Sequence, residues 1–138
     1  MKKLIILIGF SIVLQAEFIR DNTVQIVRDL TTSLYWQDNE NISKTWTQAI
    51  NYCENMVLGS YDDWRLPNIN ELNSIVDDTK YNPNMSPVFK SFASDSYWSS
   101  TTYADASNYA WVVYFYYGAQ GNYPKDASNY VRCVRAGQ

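Results

Sequence analysis

The sequence predicts an α+β domain in which strands at both ends of the chain enclose two central helices. Three observations support this fold class: a hairpin pattern near the N-terminus, two helical stretches with capping signals, and strand patterns after residue 96. Because strands and helices occupy separate stretches, we expect two helices packed on small antiparallel sheets with long loops. The 138 residues suit a single domain and leave little room for a second one.

The first sixteen residues are typical of a secretory signal peptide. Two lysines follow the initial Met, an apolar stretch covers residues 4–14, and Ala16 gives a small residue for cleavage. The apolar stretch is too short to span a membrane, which takes about twenty residues. We therefore predict a signal peptide at residues 1–16 and an exported domain at residues 17–138, periplasmic or extracellular, with no membrane span after cleavage. A buried N-terminal strand or helix is the alternative.

Composition excludes several classes of function. The chain has no histidine, which is the commonest general base near neutral pH and the commonest transition-metal ligand. Loss of the signal peptide would remove two lysines and move the formal net charge from −3 to −5. An acidic balance argues against nucleic acid as a partner, because phosphate contacts require a basic surface. We predict no cofactor and no bound metal.

The N-terminal strands are predicted from alternation and β-propensity. Residues 24–29 alternate enough for a short strand, and residues 34–37 (LYWQ) are its expected hairpin partner. The polar residues between them are typical of a turn.

The first helix is predicted to begin after Thr45. Thr45 and Gln48 have the spacing of a capping box. Apolar residues then recur every three or four positions along one face, as an amphipathic helix requires. They are Trp46, Ala49, Ile50, Cys53 and Val57. Gly59 stands where a C-terminal cap is expected, and Cys53 is expected to point into the core.

The second helix is predicted to begin after Asn68. Asn68 and Glu71 again have capping-box spacing, and the helix is expected to end at residues 77–78. Its inward residues are Ile69, Leu72, Ile75 and Val76. Residues 79–96 are then expected to form a long loop.

The C-terminal half is predicted to be mostly strand. Residues 97–101, 110–117 and 130–135 have strand character, and residues 118–121 are the expected turn between the last two. On the middle strand, alternation places Trp111, Val113 and Phe115 inward and Val112, Tyr114 and Tyr116 outward.

The two cysteines are too far apart for a local redox or metal motif. Cys53 and Cys133 are separated by 80 positions, which excludes a CxxC pair and a zinc knuckle. In an exported protein a long-range disulfide is the expected arrangement, with two free buried thiols as the alternative.

Several blocks of sequence resemble the Lcl C-terminal domain family, named after a collagen-like adhesin of Legionella. The resemblance covers nearly all of residues 23–135, and its blocks follow the family order. They are LYWQD, the TWxxAxxYC pattern, DWRLPNINEL, YWSST, AWVV and YVRCVR. Residues 33–35 depart from the family's usual Gly and Met. The resemblance implies a C-type-lectin-like fold related to formylglycine-generating enzymes, in which a disulfide often ties the first helix to the last strand; Cys53 and Cys133 fit that arrangement.

The candidate ligand-binding residues lie in the tyrosine-rich C-terminal half. Exposed tyrosines combine a flat apolar ring with a hydroxyl, which suits both sugar rings and protein epitopes. The candidate residues are Tyr103, Tyr109, Tyr114, Tyr116, Asn122 and Tyr123. A second buried face or an oligomer contact is the alternative. The calcium signatures of sugar-binding C-type lectins are missing, so we expect no metal at the neighbouring acidic residues.

A second set of distinctive residues is predicted to be structural. Its members are Asp63, Trp64, Arg65, Trp98 and Trp111. We expect the tryptophans in the core and Arg65 paired with a carboxylate such as Asp63 or Asp77. Recognition of a ligand carboxylate or sulfate by Arg65 is the alternative.

These observations favour an exported, non-catalytic binding module for a glycan or protein ligand. The Legionella relative suggests sulfated glycans, but a charge of −5 argues against them here. Formylglycine-generating relatives need a reactive cysteine pair, and here both cysteines are expected in one bridge. The alternatives are an envelope structural protein that forms a homo-oligomer or partner contact through its tyrosines, and a carboxylate-based hydrolase.

Overall fold

The computed structural model describes residues 17–137, which form two sheets and two short helices. The predicted signal peptide, residues 1–16, lies outside the described residues. In chain order the elements are β1 (Phe18–Asp21), β2 (Ile26–Asp29), β3 (Leu34–Gln37), β4 (Ile42–Lys44), α1 (Trp46–Glu54), α2 (Ile69–Asn73), β5 (Ser96–Thr102), β6 (Tyr109–Tyr114), β7 (Ala119–Pro124), β8 (Asn129–Val131) and β9 (Val134–Ala136).

The strands form a four-stranded sheet in the order β1-β2-β3-β9 and a five-stranded sheet in the order β4-β8-β5-β6-β7. Pairing is antiparallel except between β5 and β8, which run parallel. The α+β prediction is confirmed, as is the hairpin of β2 and β3. The C-type-lectin-like assignment stays a prediction.

Helix α1 begins as predicted and ends earlier than predicted. The capping box of Thr45 and Gln48 is present, and Ala49 and Cys53 are buried. The prediction that the helix continues past Val57 is wrong, because Asn55 caps it and Val57 is 72% exposed. Gly59 does not cap the helix. It adopts a left-handed conformation in the following turn, where a Cβ would lie 2.5 Å from Ile26 Cδ1.

Helix α2 has the predicted capping box of Asn68 and Glu71 but is only five residues long. Leu72 and Ile75 are buried, although Ile75 already lies beyond the end of the helix. The predicted end at residues 77–78 is therefore wrong. The apolar residues that predicted further helix are buried by an irregular backbone instead.

Both faces of the five-stranded sheet are covered. Val113 and Phe115 pack in one core cluster, and Ala110 and Val112 pack in a second cluster with Cys53. The expectation that Val112 faces outward is wrong, because α1 and the disulfide cover the side of β6 on which it lies. The loop at residues 79–96 also adds to the first cluster, through Met85 and Phe89.

Two boundaries in the C-terminal half differ from the prediction. The turn expected at residues 118–121 lies earlier, because Gly118 takes a left-handed conformation and β7 begins at Ala119. The single strand expected at residues 130–135 is divided into β8 and β9. This division lets the chain pass from the five-stranded sheet to the four-stranded sheet.

Candidate functional site

Two of the predicted tyrosines meet on one face of the β6–β7 hairpin. In the register of β6 and β7, Tyr114 is paired with Ala119. Tyr123 is paired with Ala110, which lies on the same face of β6 as Tyr114. Directly opposed residues of antiparallel strands point to the same side. The hydroxyl oxygens of Tyr114 and Tyr123 are 3.3 Å apart. The side-chain hydrogen bond with Tyr123 raises the pKa of Tyr114 to about 12, because a Tyr114 hydroxyl that donates to Tyr123 loses this bond on ionisation.

Three further rings continue from Tyr114 into solvent. The ring of Tyr117 stacks on Tyr114 with centroids 5.2 Å apart, and Tyr116 meets Tyr117 edge-on at 6.1 Å. Tyr81, from the loop at residues 79–96, meets Tyr116 edge-on at 5.4 Å. We call the five residues Tyr81, Tyr116, Tyr117, Tyr114 and Tyr123 the tyrosine surface. Tyr81, Tyr117 and Tyr116 are 68%, 55% and 39% exposed, so large parts of these side chains face solvent.

The backbone under the tyrosine surface is held in place by hydrogen bonds. The N–H groups of Asn82 and Asn84 donate to the carbonyls of Tyr116 and Phe115 at 3.1 and 2.8 Å. Gly118 N–H donates to the Tyr114 carbonyl at 2.7 Å, which closes the turn. The side chain of Phe115 is fully buried beneath the turn. The backbone that carries the exposed rings is therefore held by hydrogen bonds and by the buried side chain of Phe115.

The other predicted binding residues lie away from the tyrosine surface. Asn122 is opposite Trp111 and therefore on the reverse face of the hairpin. Tyr103 packs edge-on against Trp111 at 5.0 Å, and its N–H donates to the Tyr109 carbonyl at 2.9 Å. The structure thus divides the predicted set between two faces, and ligand contact by either group stays a prediction.

Sequence reasoning did not include Tyr81 in the binding set. Tyr81 precedes Tyr116 by 35 positions and lies in a stretch without periodicity, so no local signal connects the two. Tyr117 is also absent from the predicted set, although the sequence offered a signal for it: it directly follows Tyr116 at the end of the predicted strand 110–117.

Arg65, predicted to be structural, pairs with a different carboxylate from the two named above. Arg65 pairs with a carboxylate, as expected, but the partner is Glu71, through two contacts of 2.7 Å, and not Asp63 or Asp77. Glu71 is the partner because it lies in the first turn of α2, directly after the N-cap Asn68, and its carboxylate turns back toward Arg65. This guanidinium lowers the pKa of Glu71.

Asp63 pairs with Arg135, from the last strand. Arg135 Nε donates to Asp63 at 2.6 Å, which lowers the pKa of that carboxyl. The guanidinium of Arg135 also lies 3.7 Å from the ring centroid of Tyr61 and 5.1 Å from that of Tyr35. The prediction of core positions is confirmed for Trp64 and Trp98, which are 2% and 0% exposed. Trp111 is only half-buried.

Cys53 and Cys133 form a disulfide with their Cα atoms 5.4 Å apart, as predicted. Both sulfurs are fully buried. The bridge connects α1 to the short segment between β8 and β9. Neither cysteine can serve as a nucleophile while it is in the bridge.

A large cleft lies away from the tyrosine surface. It encloses about 750 Å³ beside β1 and β2, with Arg28, Tyr35 and Tyr61 among its lining residues. Within residues 17–137, no group of three or more Asp, Glu or Cys side chains converges as a metal site would require. None of the helices described is long and apolar enough to span a membrane.

The model of one protein family, the Lcl C-terminal domain, matches residues 25–135. The chain belongs to the Lcl C-terminal domain family. A comparison with curated proteins found no match.

In this Lcl C-terminal domain, two of the family-like blocks meet in a buried ion pair. Asp38, from the LYWQD block, accepts hydrogen bonds from Arg20 Nε at 2.9 Å and from Arg132 Nη1 at 2.9 Å. The backbone N–H groups of Lys90 and Ser91 donate to the same carboxylate at 2.8 and 3.1 Å. The Asp38 side chain is fully buried. Its contacts therefore fix the loop at residues 79–96, and each of its two oxygens accepts two hydrogen bonds.

Gln37 of the Lcl C-terminal domain connects the same two blocks. The side-chain oxygen of Gln37 accepts a hydrogen bond from the backbone N–H of Cys133 at 3.0 Å. The backbone N–H of Gln37 donates to the Cys133 carbonyl, also at 3.0 Å. Arg132 Nη1 donates to the Gln37 carbonyl at 2.6 Å. The polar residues of these blocks thus stabilise the fold.

Proposed function

We propose that the chain is an exported, non-catalytic binding module whose tyrosine surface binds a glycan or protein ligand. One observation carries the proposal. Five tyrosine rings form an unbroken series of contacts from Tyr81 to Tyr123, and the outer rings are exposed. A solvent-facing group of large aromatic side chains needs an explanation other than packing, because single surface residues of this kind are common and grouped ones are not.

The rings are suited to binding because little freedom is lost when a ligand arrives. A side chain that must be immobilised at an interface costs about 0.5–1.5 kcal/mol. Here Tyr117 already stacks on Tyr114, and Tyr116 already contacts both Tyr117 and Tyr81. The hydroxyl groups add hydrogen-bonding capacity at the edge of an apolar platform.

The engagement of most arginines in ion pairs favours a neutral ligand over a sulfated one. Arg20, Arg65, Arg132 and Arg135 are all engaged in ion pairs with carboxylates. Asp95 lies near enough to the Tyr114 hydroxyl to contribute to its raised pKa. Sulfates require clustered, available cations. Neutral sugar rings or an uncharged protein epitope fit this surface better.

Export is part of the proposal and has two supports. The N-terminal stretch has the composition of a signal peptide, and disulfides persist in oxidising compartments. The periplasm and the cell surface both satisfy these conditions. Fractionation of cells, with non-reducing mass spectrometry of the recovered chain, tests this part directly.

The absence of catalysis is also proposed. The sequence has no histidine, and its two cysteines are joined. Asp38, the carboxylate with the most contacts, is saturated by two arginines and two backbone N–H groups. These features leave few groups able to transfer a proton or attack a substrate near neutral pH.

The test is a binding screen with substitutions on each face of the hairpin. The oxidised domain is applied to a glycan array and used to capture proteins from host and bacterial surface extracts. Tyr116→Ala and Tyr117→Ala are each expected to weaken any ligand found by at least about tenfold, or about 1.4 kcal/mol. Tyr103→Ala, on the reverse face, is the matched control and is expected to retain binding.

Two results would contradict the proposal. One is a ligand whose affinity falls with Tyr103→Ala and not with Tyr117→Ala, which would move the site to the reverse face. The other is the absence of any bound glycan or protein together with assembly of the chain that is lost in Tyr116→Asp. That outcome would favour a structural interface over a ligand site.

A further inference from the structure

Strand β7 is an open edge of the five-stranded sheet. Within residues 17–137 it pairs with β6 alone. Monomeric proteins commonly protect such edges with charged residues, Pro, a bulge or a covering loop. Residues 119–123 (AQGNY) carry no charge, and the register with β6 is unbroken over six pairs. This edge therefore has the properties of a strand that can accept another strand.

The hydrogen-bond pattern shows which backbone groups of β7 face outward. Lys125 N–H donates to the Asn108 carbonyl at 2.8 Å, so this pair is of the hydrogen-bonded type. Bonded and non-bonded pairs alternate along antiparallel strands. Tyr123 and Gly121 therefore direct their backbone groups to β6, whereas Gln120 and Asn122 direct theirs to the open edge. Pro124, which has no N–H, falls in the outward series, as expected on an edge strand.

We propose that β7 pairs antiparallel with β7 of a second copy of this chain, with the two-fold axis at Gly121. In this register the outward N–H and C=O groups of Gln120 meet those of Asn122 in the second copy. Symmetry repeats the contact, which gives four backbone hydrogen bonds. All the outward groups of both residues are then satisfied.

The side chains are complementary in the same register. Tyr123 faces Ala119 of the second copy, which places a large residue against a small one. Gln120 faces Asn122, and two carboxamides can donate and accept reciprocally. No like charges face each other, because residues 119–123 are uncharged. A heterologous strand would need a matching pattern of its own, whereas a second copy supplies it by symmetry.

Other registers are less favourable. A shift by one residue places the outward backbone groups of Gln120 and Asn122 opposite Gly121, whose backbone groups are already bonded to β6. A shift of the axis to Asn122 places Gln120 opposite Pro124, which has no N–H to donate. Centring the pair on Gly121 is the register that uses both donors and both acceptors of each copy.

Pairing at β7 would place two copies of the tyrosine surface on one continuous sheet. Tyr114 and Tyr123 lie on the same face of the hairpin in each copy. A ligand with repeated epitopes would then be held by two sites, and its apparent affinity would exceed that of either. The pairing itself rests on the strand edge and does not depend on the proposed ligand binding.

Cysteine cross-linking tests the register in the oxidised full chain. Directly opposed residues of a non-hydrogen-bonded pair have Cα atoms about 4.5 Å apart, which suits a disulfide. A Cβ at Gly121 has room, since its nearest neighbour is Val112 Cγ2 at 3.8 Å. Gly121→Cys is expected to form a covalent dimer. Gln120→Cys is the matched control, because the two Cys side chains would be diagonal, about 7–8 Å apart, and is expected to stay largely uncross-linked.

Sedimentation from micromolar to millimolar concentration gives a second readout. The unmodified chain is expected to double in mass as concentration rises. Gln120→Pro removes an outward N–H in each copy and is expected to abolish the dimer. A mass that never rises, equal cross-linking of Gly121→Cys and Gln120→Cys, or a dimer that survives Gln120→Pro would each overturn the proposal. Capture of an unrelated extended peptide by a strictly monomeric chain would do so as well.

Discussion

The buried charges around Asp38 and the exposed rings of the tyrosine surface are built in opposite ways. Asp38 and Arg132 are fully buried, and every contact they make connects distant parts of the chain. The outer tyrosines contact mainly one another and are open to solvent. The first arrangement is costly to disturb and specifies the fold. The second can change with little effect on folding.

The comparison also separates the two regions in sequence. Asp38 and Arg132 belong to the blocks that resemble the Lcl C-terminal domain family, LYWQD and YVRCVR. None of the five residues of the tyrosine surface lies in any of those blocks. The family-like blocks therefore carry the buried charges, and the candidate ligand site is judged from its own geometry.

The largest expected change in the free energy of unfolding comes from removing the buried charge of Asp38. Asp38→Asn keeps the side-chain volume but leaves Arg132 without a negative partner, and breaking a buried pair in this way costs about 3–5 kcal/mol. Urea unfolding at neutral pH measures the change. Asp62→Asn, at an exposed position, is the control. A loss below about 1 kcal/mol for Asp38→Asn would remove the distinction between the two regions.

A smaller effect is expected from the tyrosine surface. Tyr117→Ala removes a ring that is 55% exposed and stacked on a neighbour, so the free energy of unfolding should fall by at most about 1 kcal/mol. Phe115→Ala, two positions earlier and fully buried, should cost about 3–5 kcal/mol. If both substitutions cost the same, the tyrosines belong to the core and are poor candidates for binding.

The smallest effect concerns the surface ion pair of Arg65 and Glu71. Arg65 lowers the pKa of Glu71 below its usual 4.5 in the folded chain, so the carboxylate stabilises the fold above about pH 4.5. This contribution is lost as the pH falls through the folded value. Glu71→Gln should therefore cost about 0.5–1 kcal/mol at neutral pH.

Measuring the free energy of unfolding against pH distinguishes the Arg65–Glu71 pair from the buried Asp38–Arg132 pair. The difference between the native chain and Glu71→Gln should disappear as the pH is lowered from about 5 toward 2. Asp62→Asn, at an exposed position outside the helices, is the control and should leave stability at neutral pH unchanged. A difference that persists in strong acid would mean that Glu71 acts through packing.

Local features of the fold could be predicted from the sequence because their causes are local. The capping boxes of Thr45 with Gln48 and Asn68 with Glu71 are set by residues three positions apart, and both are present. The ends of the helices could not be predicted in the same way. They depend on where Trp64 and Ile75 must be buried, and that is decided by contacts with distant strands.

The candidate site shows the same limit. Alternation placed Tyr114 and Tyr116 at the surface, yet it also placed Val112 there, because nothing in β6 itself reveals that α1 covers its second face. Tyr81 joins the tyrosine surface from a loop without periodicity. Arg132 and Asp38 are 94 positions apart, so their pairing required the fold.

The passage of the chain between the two sheets has a consequence for motion. The chain crosses once after β3 and again between β8 and β9, and the two crossings lie side by side. Gln37 and Cys133 exchange hydrogen bonds there, and Arg132 reaches Asp38. Any hinge that opened the sheets would have to break these bonds and separate two buried charges. The sheets are therefore expected to tumble as one rigid unit, with fast internal motion confined to outer rings such as Tyr81.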